Sequence, residues 1–299
     1  MLCIITPGKN ESENINELVK SLTCQSRMPD LWIFVNDNST DNTEITFFNC
    51  IEERTFDMRF ECIYTIYPNK SETYQLGEHY SSLISFALNI VKKYEVDKNL
   101  KFEYIGILDC DIRLPDNYYA FLLNELDLNQ DLGIVSAGSQ VEEQMDGNRF
   151  NSVVNSEHCP GGFRVWRSSC LDSTGYNITI SQDAVSEARA IMLGWQVKSF
   201  PELIVTMRAR GSKFGFDYYG RSAYQRHIPF WIVLIQCVYL FFNGRQRSAK
   251  QYFLGYFTAK SEGISKISDP LAKRYFKTKF RRKISKYLGL TGIWNSFWT

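Results

Sequence analysis

Apolar residues in the first two hundred positions follow two alternating patterns. Short apolar runs are typical of strands buried on both faces, and they end at Ile5, Val35 and Leu108; a more polar run that also predicts a strand ends at Ile66. Between them, apolar residues recur at helical spacing. The predicted strands are a run through Ile4 and Ile5, then Leu31 to Val35, Phe60 to Ile66 and Tyr104 to Leu108. The predicted helices are one around Ile15 to Leu22 capped by Asn10 or Ser12, then Asp41 to Glu53, Glu78 to Tyr94 and Asp183 to Leu193.

Strands that alternate with helices at this pace predict right-handed βαβ crossovers and an α/β fold. We expect a mixed, mostly parallel sheet with helices on both faces. Ligands of such sheets bind beyond the carboxyl ends of the strands. The polar residues that follow each strand are therefore the first candidates for a site.

The second strand runs into Asn36-Asp37-Asn38-Ser39-Thr40-Asp41. Residues of these types before a helix can cap its free N–H groups, and in that case Asp37 would have no role in ligand binding. Alternatively, Asp37 could accept a hydrogen bond from a nucleobase N–H. The sequence of this loop alone leaves both interpretations open.

The fourth strand runs into Asp109-Cys110-Asp111. Two carboxylates at the end of one strand repel each other unless a cation lies between them. A divalent metal with a phosphate-bearing ligand is a common way to neutralise such a pair. Asp-x-Asp is a short motif, however, and it also occurs by chance.

Four segments taken together resemble a known family. The chain has Ile4-Ile-Thr-Pro-Gly-Lys-Asn-Glu11, Val35-Asn-Asp-Asn-Ser-Thr-Asp41, Leu108-Asp-Cys-Asp-Ile-Arg-Leu-Pro115, and Gly161-Gly162 followed by Gln182-Asp183. In this order and spacing they are similar to the family 2 glycosyltransferases, especially the bacterial, non-processive enzymes of cell-surface polysaccharide synthesis. The resemblance covers about residues 1 to 206 and implies the GT-A fold, a Rossmann-like fold of nucleotide-diphospho-sugar transferases.

The resemblance also implies roles for the matched residues. Asp111 would bind Mn²⁺ or Mg²⁺, and Asp183 would be the catalytic base of a metal-dependent, inverting transfer of one hexose-like sugar. Gly161 and Gly162 would lie near the acceptor or the donor sugar. The nucleotide of the nucleotide-sugar donor would be bound by Pro7, Glu11, Asp37 and Asp109. A purely structural alternative for Asp183 is a favourable charge in the first turn of a helix. If Asp183 is not the base, Glu157 and Glu187 are the next carboxylates to test.

The chain departs from the family pattern at several positions. Asn36 stands where many relatives carry Asp, and Gln182 replaces the commoner Glu. Met207 occupies a position where relatives often have a metal-binding His. The Gln-x-x-Arg-Trp signature of processive synthases does not occur, which favours transfer of one sugar per encounter.

The net charge of +1 conceals a division of the chain. Residues 243 to 299 hold 13 Lys and Arg against 2 Asp and Glu, and they are interleaved with aromatic residues. This pattern is typical of proteins at anionic membrane surfaces; packing against the first domain is an alternative. RNA would also suit such cations, but the acidic first part makes it a poorer partner, so no nucleic-acid partner is expected.

The residues just before this basic region add two features. The apolar run 228 to 242 is 15 residues long, short of the ~20 that a membrane-spanning helix needs. Arg208 and Arg210 could contact a phosphate, or could form part of a solvated basic surface. We therefore expect a catalytic domain over 1–206 and a helical, basic, membrane-associating region over 207–299.

The eight cysteines form no Cys-x-x-Cys pair, which favours reduced core thiols and disfavours a zinc site. Together with an opening segment unlike a signal peptide, this predicts a cytoplasmic protein, peripheral on the inner face of the membrane. Its acceptor would be a glycan or a lipid-linked acceptor. Two rival functions stay open: a nucleotidyltransferase that makes nucleotide-sugars, and a non-catalytic protein that binds nucleotide-sugars or acts as a membrane scaffold.

Overall fold

The computed structural model describes residues 1–69, 77–143, 149–154, 156–208 and 216–287, with side chains up to residue 279. The chain divides into two compact units, Met1–Arg210 and Gly211–Thr299. Arg210 itself lies outside the described residues. The two units are described separately below.

Unit 1 alternates strands and helices. Its strands are β1 Leu2–Gly8, β2 Leu31–Asn36, β3 Glu61–Ile66, β4 Tyr104–Ile107, β5 Ile112–Arg113, β6 Leu132–Glu143, β7 Arg149–Val153, β8 Val165–Arg167 and β9 Gln196–Arg208. Its helices are α1 Ile15–Thr23, α2 Thr43–Glu53, α3 Glu78–Lys98, α4 Tyr118–Leu128, α5 Ser168–Thr174 and α6 Gln182–Met192. A single 3₁₀ turn, Gly161–Phe163, precedes β8.

All described strands join one sheet in the order β3-β2-β1-β4-β8-β6-β9-β5, and β7 pairs with β6. The pairings β3-β2-β1-β4 and β6-β9 are parallel and include the longest registers, whereas β8, β7 and β5 pair antiparallel with their neighbours. The predicted α/β class with a mixed, mostly parallel sheet is confirmed.

Strand β2 is buried on both faces of the sheet, and its successive side chains point to opposite sides. In β2, Trp32 and Phe34 pack into one core cluster with α1, α2 and α4. Leu31, Ile33 and Val35 pack into the other with α3. This arrangement explains why the strand reads as a continuous apolar run in the sequence.

The predicted helices all form, but the predicted cap of α1 is wrong. Its N-cap residue is Asn14, which makes no side-chain capping bond. Asn10 instead accepts a hydrogen bond from the Thr40 N–H (2.8 Å), and the Ser12 N–H donates to Asp41 (3.2 Å). These two residues connect the loops after β1 and β2, so their polar groups serve the loop rather than the helix.

The eight cysteines are free, and five of them are buried as expected for core thiols. Cys62 and Cys237 are half-buried, and Cys24 is exposed. Burial raises the pKa of Cys159 and Cys170 to about 12, which keeps these thiols protonated and unreactive.

Unit 2 is helical, with α7 Asp217–Gln225, α8 Phe230–Phe242, α9 Gln246–Ser261 and α10 Pro270–Tyr287. Helices α7 and α9 approach closely at Gly220 and Gly255, where a Cβ atom would collide with the backbone of Tyr252 and of Asp217 respectively. Val233 of α8 packs with Ala223 and Tyr256 in a small core. Among the described helices, none combines the length and the apolar character needed to cross a bilayer.

Candidate active site

The carboxyl ends of β1, β2 and β4 bring three polar loops together, as the parallel arrangement predicts. The Asp37 N–H donates to the carbonyl of Gly8 (2.8 Å), which joins the loops after β1 and β2. The Cys110 thiol lies 3.4 Å from the carbonyl oxygen of Pro7, which joins the loops after β1 and β4. Pro7, Asp37 and the Asp109-Cys110-Asp111 motif therefore share one edge of the sheet.

Asp37 is buried at this edge and does not cap α2. One of its carboxylate oxygens lies 2.8 Å from Nε2 of His79 and 3.3 Å from Nζ of Lys9. The ring of Tyr67 meets His79 edge to face, with the ring centroids 5.7 Å apart. Asp37 is therefore not one of the residues of this loop that satisfy helix N–H groups, and its role in ligand binding stays a prediction. His79, at the start of α3, is a member of this pocket that the sequence analysis did not identify.

Asp41, at the end of the loop after β2, accepts hydrogen bonds from backbone N–H groups, as a capping residue does. Its carboxylate accepts hydrogen bonds from the Thr43 N–H (3.0 Å) and the Ser12 N–H (3.2 Å). Burial alone would raise the pKa of Asp41, but these hydrogen bonds outweigh burial and lower it to about 2. Asn36, the departure from the family pattern, donates to the hydroxyl of Tyr64 (2.6 Å) and accepts from the Ser39 N–H (2.9 Å), so its amide holds the loop in shape.

Glu11, Asp111 and Arg208 form an ionic cluster at the same edge. A carboxylate oxygen of Glu11 lies 2.9 Å from the Arg208 guanidinium, and Nε of Arg208 lies 3.6 Å from Asp111. Burial opposes the charge of Arg208, but Glu11 and Asp111 outweigh it and raise the pKa of the guanidinium. Arg208 thus pairs with carboxylates in this structure. Arg210, the other predicted phosphate contact, lies outside the described residues.

Asp109 and Asp111 have different neighbours: Asp111 lies near the Arg208 guanidinium, whereas Asp109 is buried and hydrogen-bonded. Its carboxyl group accepts a hydrogen bond from the Tyr80 hydroxyl (2.5 Å), and its N–H donates to the Gly162 carbonyl (2.7 Å). Burial and the nearby charge of Asp111 raise the pKa of Asp109 to about 7, even though the Tyr80 hydrogen bond lowers it. The motif therefore carries less than two full negative charges at neutral pH.

Gly161 and Gly162 bring Asp109 and Asp183 to one place. A Cβ atom added at Gly162 would lie 2.8 Å from Cγ of Asp109, and one added at Gly161 would lie 3.2 Å from Cβ of Asp183. Asp183 also affects the titration of Asp109 electrostatically. The absence of side chains at these two consecutive positions lets both carboxyl groups pack against the same short turn.

A buried ion pair fixes this turn, and the sequence analysis missed it. Arg164 is fully buried and lies 3.2 Å from a carboxylate oxygen of Glu187. Its guanidinium also donates to the carbonyls of Cys159, Pro160 (3.2 Å) and Asp183 (3.0 Å). Arg164 therefore connects the segment before the two glycines to the first turn of α6.

Glu187 is fully engaged on its side of the pair. Besides Arg164, it accepts from the Cys159 N–H (2.8 Å) and lies 2.9 Å from Nδ1 of His158. A carboxylate with this many partners is poorly placed to accept a proton from a substrate. The geometry thus favours a positioning role for Glu187 over the role of alternative base.

The charges at this site bear on metal binding. Among the described residues, no group of three or more His, Cys, Asp or Glu side chains could by itself hold a metal ion. Mg²⁺ sites with one or two protein carboxylates usually take their remaining ligands from substrate phosphates and water. The partly exposed Asp111 carboxylate suits a site in which substrate phosphates and water complete the metal ligands. In this structure the guanidinium of Arg208 provides the positive charge beside it.

Comparison with known proteins identifies the fold. No family model matches the chain, and no curated protein matches it. Among solved structures, the chain is similar to the mannosyltransferase PcManGT from Pyrobaculum calidifontis in complex with GDP-Man and Mn²⁺, with a TM-score of 0.53 and 14% identity over 97% of this chain and 83% of that chain. It is also similar to S. aureus TarS 1–349 in complex with UDP-GlcNAc, with a TM-score of 0.50 and 14% identity over 75% of this chain and 65% of that chain. The chain therefore has a glycosyltransferase fold.

Proposed function

We propose that this protein is a metal-dependent, inverting glycosyltransferase that transfers one sugar from a nucleotide-sugar to a glycan or lipid-linked acceptor. The observation that carries the proposal is the convergence of Asp109 and Asp183 on Gly161-Gly162, beside the cluster of Glu11 and Asp111. Transfer with inversion needs a leaving diphosphate on one side of the anomeric carbon and a base on the other. The fold agrees, since the similar PcManGT and TarS structures hold GDP-Man and UDP-GlcNAc.

In this proposal the nucleoside is bound by Pro7, Glu11, Asp37 and Asp109. Asp37 can accept a hydrogen bond from a nucleobase N–H, and the neighbouring His79 and Lys9 hold its carboxylate in place. The hydroxyl of Tyr80 orients Asp109 towards the turn at Gly162. Family 2 membership and the GT-A class, which rest on the sequence resemblance, are part of this proposal.

Asp111 would hold Mn²⁺ or Mg²⁺ together with oxygens of the donor diphosphate. A divalent cation there stabilises the negative charge that develops on the departing nucleoside diphosphate. Arg208 lies next to Asp111 and could turn from this carboxylate to a phosphate oxygen, because guanidinium groups suit both ligands. Arg210 is proposed as a second phosphate contact.

Asp183 would remove the proton from the acceptor hydroxyl. Arg164 binds the Asp183 backbone carbonyl and thereby positions the first turn of α6 against the glycine turn. Gly161 and Gly162 would lie near the donor sugar or the acceptor, because they let both carboxyl groups pack against the same turn. The acceptor, the hexosyl class of the sugar and the place in cell-surface polysaccharide synthesis follow the sequence resemblance, as does action at the cytoplasmic face of an anionic membrane.

The test is to incubate the protein with candidate nucleotide-sugars and Mn²⁺ or Mg²⁺. We expect slow release of nucleoside diphosphate. Release of pyrophosphate would support a nucleotidyltransferase instead, and release of neither product, with nucleotide-sugar binding retained, would support a non-catalytic protein.

A variant pair makes the same test specific to the site. Asp111→Ala should abolish both turnover and the thermal stabilisation by nucleotide plus metal. Asp116→Ala, which removes an exposed acidic side chain from the same loop region, should change neither. Normal turnover by the Asp111 variant would contradict the assignment of Asp111.

A further inference from the structure

Helix α8 of unit 2 is apolar around most of its circumference but buried along a single narrow line. Val233 and Leu240 are buried in unit 2, with the half-buried Cys237 between them. Of the remaining side chains, eight large apolar or aromatic ones are exposed, from 40% for Phe230 to 82% for Phe242. They are Phe230, Trp231, Leu234, Ile235, Val238, Tyr239, Phe241 and Phe242. A contiguous apolar surface of this kind marks an interaction site.

The unit that carries this apolar surface is strongly basic. Residues 211 to 299 hold 16 Lys and Arg against 3 Asp and Glu. No Asp, Glu, Lys or Arg lies within α8 itself, and Arg226, Arg245 and Arg247 flank it in the sequence. Two such units packed α8 against α8 would repel each other, whereas an anionic surface would attract the unit.

A cavity at the amino-terminal end of α8 combines aromatic walls with two cations. It has a volume of about 350 Å³ and is lined by Tyr224, Phe230, Tyr256, Phe257, Lys260 and Lys266. Nζ of Lys266 lies 4.4 Å from the centroid of the Tyr224 ring. Within the part of the chain that the structure describes, neither lysine forms an ion pair.

The positive charges of the two lysines of this cavity repel each other. Burial lowers the pKa of Lys266, and the positive charges of Lys260 and Lys277 lower it further. An anion bound between the ammonium groups would relieve this repulsion. Because the cavity begins at Phe230, such an anion would lie next to the apolar surface of α8.

We propose that α8 and this cavity form a docking surface for an anionic phospholipid bilayer. Helix α8 lies in the plane of the interface with its exposed side chains among the acyl chains, and a lipid headgroup phosphate binds Lys260 and Lys266. At 1.5 Å per residue its 13 residues extend about 20 Å, which is short of the ~30 Å hydrocarbon core and suits an in-plane position. The purpose of this docking, access to a lipid-linked acceptor, rests on the proposed function.

The test measures binding of the full-length protein to vesicles by flotation, without nucleotide or metal. Vesicles contain phosphatidylcholine alone or phosphatidylcholine mixed with phosphatidylglycerol. We expect binding to the mixed vesicles, and at least a ~10-fold loss of affinity in Leu234→Gln/Val238→Gln. The double variant Tyr239→Gln/Phe242→Gln should show the same loss, so the result does not depend on one variant folding well.

The matched control is Ile45→Gln/Val96→Gln, which removes two exposed apolar side chains from helices of unit 1. We expect this variant to bind like the unmodified protein. Equal binding by the α8 variants and the control would overturn the proposal, as would no vesicle binding by the unmodified protein. Sedimentation distinguishes a second copy of the chain as the occupant. If the unmodified protein is a dimer and Leu234→Gln/Val238→Gln is a monomer, the surface belongs to a contact between copies, and the proposal is overturned.

The role of the cavity has its own comparison. Lys260→Glu/Lys266→Glu should weaken binding to the anionic vesicles more than Arg247→Glu/Lys250→Glu, which makes the same charge change on the amino-terminal part of α9. Equal losses would remove the cavity from the proposed surface. Because these measurements use no donor or metal, their failure would leave the proposed function untouched, and a failed transferase assay would leave the docking surface untouched.

Discussion

The substitution Gly162→Ala tests whether the glycine turn builds the proposed site. The new Cβ atom would lie 2.8 Å from Cγ of Asp109, whereas carbon atoms in contact prefer about 3.5–4.0 Å. Asp109 cannot withdraw along the backbone, because its N–H is bonded to the carbonyl of residue 162. The carboxyl group must therefore rotate away, and it loses the hydrogen bond from the Tyr80 hydroxyl.

The cost of this substitution has two parts. Inserting a methyl group into a filled space costs about 1–3 kcal/mol, and losing the Tyr80 hydrogen bond costs about 1 kcal/mol more. We therefore expect a lower melting temperature. We also expect nucleotide affinity to fall at least ~10-fold, because the displaced carboxyl group would no longer reach the nucleotide in the proposed site.

The assay is a titration with nucleoside diphosphate and Mn²⁺, followed on the same preparation by thermal unfolding. Gly133→Ala is the matched control. A Cβ atom at Gly133 would lie 2.6 Å from Sγ of Cys170. Gly133 is near the amino end of β6, which lies at the opposite end of the strands from the proposed site. The control should lose stability but keep nucleotide affinity. Normal affinity in Gly162→Ala would refute the assignment of this turn to the site.

Three further predictions concern the carboxyl groups and their partners. Asp183→Asn should slow transfer at least ~10²-fold while nucleotide affinity and melting temperature stay unchanged, since the amide cannot accept the proton; a normal rate would move the base elsewhere. Arg164→Met should cost about 3–5 kcal/mol in urea unfolding, because the buried Glu187 carboxylate loses its arginine partner. Arg164→Met/Glu187→Met should recover much of that stability without recovering the transfer rate. In metal-free protein without nucleotide, Asp109→Asn should raise the melting temperature at pH 8 and leave it unchanged near pH 4. The raised pKa of about 7 means that wild type loses stability as the pH rises from about 4 to 7, by up to about 4 kcal/mol, and equal melting curves at pH 8 would contradict this.

Strands β1, β2 and β4 of the parallel part of the sheet were predictable because they are buried on both faces. A strand such as Leu31–Asn36 reads as an uninterrupted apolar run, and its position before a helix indicates a crossover. The second half of the sheet gives no such signal. Strand β6 contains Gly133, Ser136, Gly138 and Gln140, and its long partner β9 lies more than fifty residues further along the chain. Pairing at that distance depends on tertiary packing that local patterns do not encode.

The acidic residues of the site were predictable from their place after strands, but their partners were not. Asp111 was expected to need a cation, and the structure supplies one in Arg208, from the end of β9. One feature of the sequence could have indicated the Arg164–Glu187 pair. Glu187 falls on the buried face of α6, which also carries Ala184 and Ala188. A carboxylate on a buried face needs a cationic partner, although nothing in the sequence says which of the arginines provides it.

The charges around the site also bear on the rival functions. A nucleotidyltransferase must neutralise a triphosphate, and the loop after β1 offers Lys9 for that task. Lys9 lies 3.3 Å from Asp37, and Arg208 already pairs with Glu11 and Asp111. Carboxylates outnumber these cations at this edge, and Asp109 is held partly protonated by its surroundings. A site with this excess of carboxylates binds phosphate oxygens through a shared divalent cation more readily than through its own side chains. That balance supports the proposed diphosphate-linked donor with its metal.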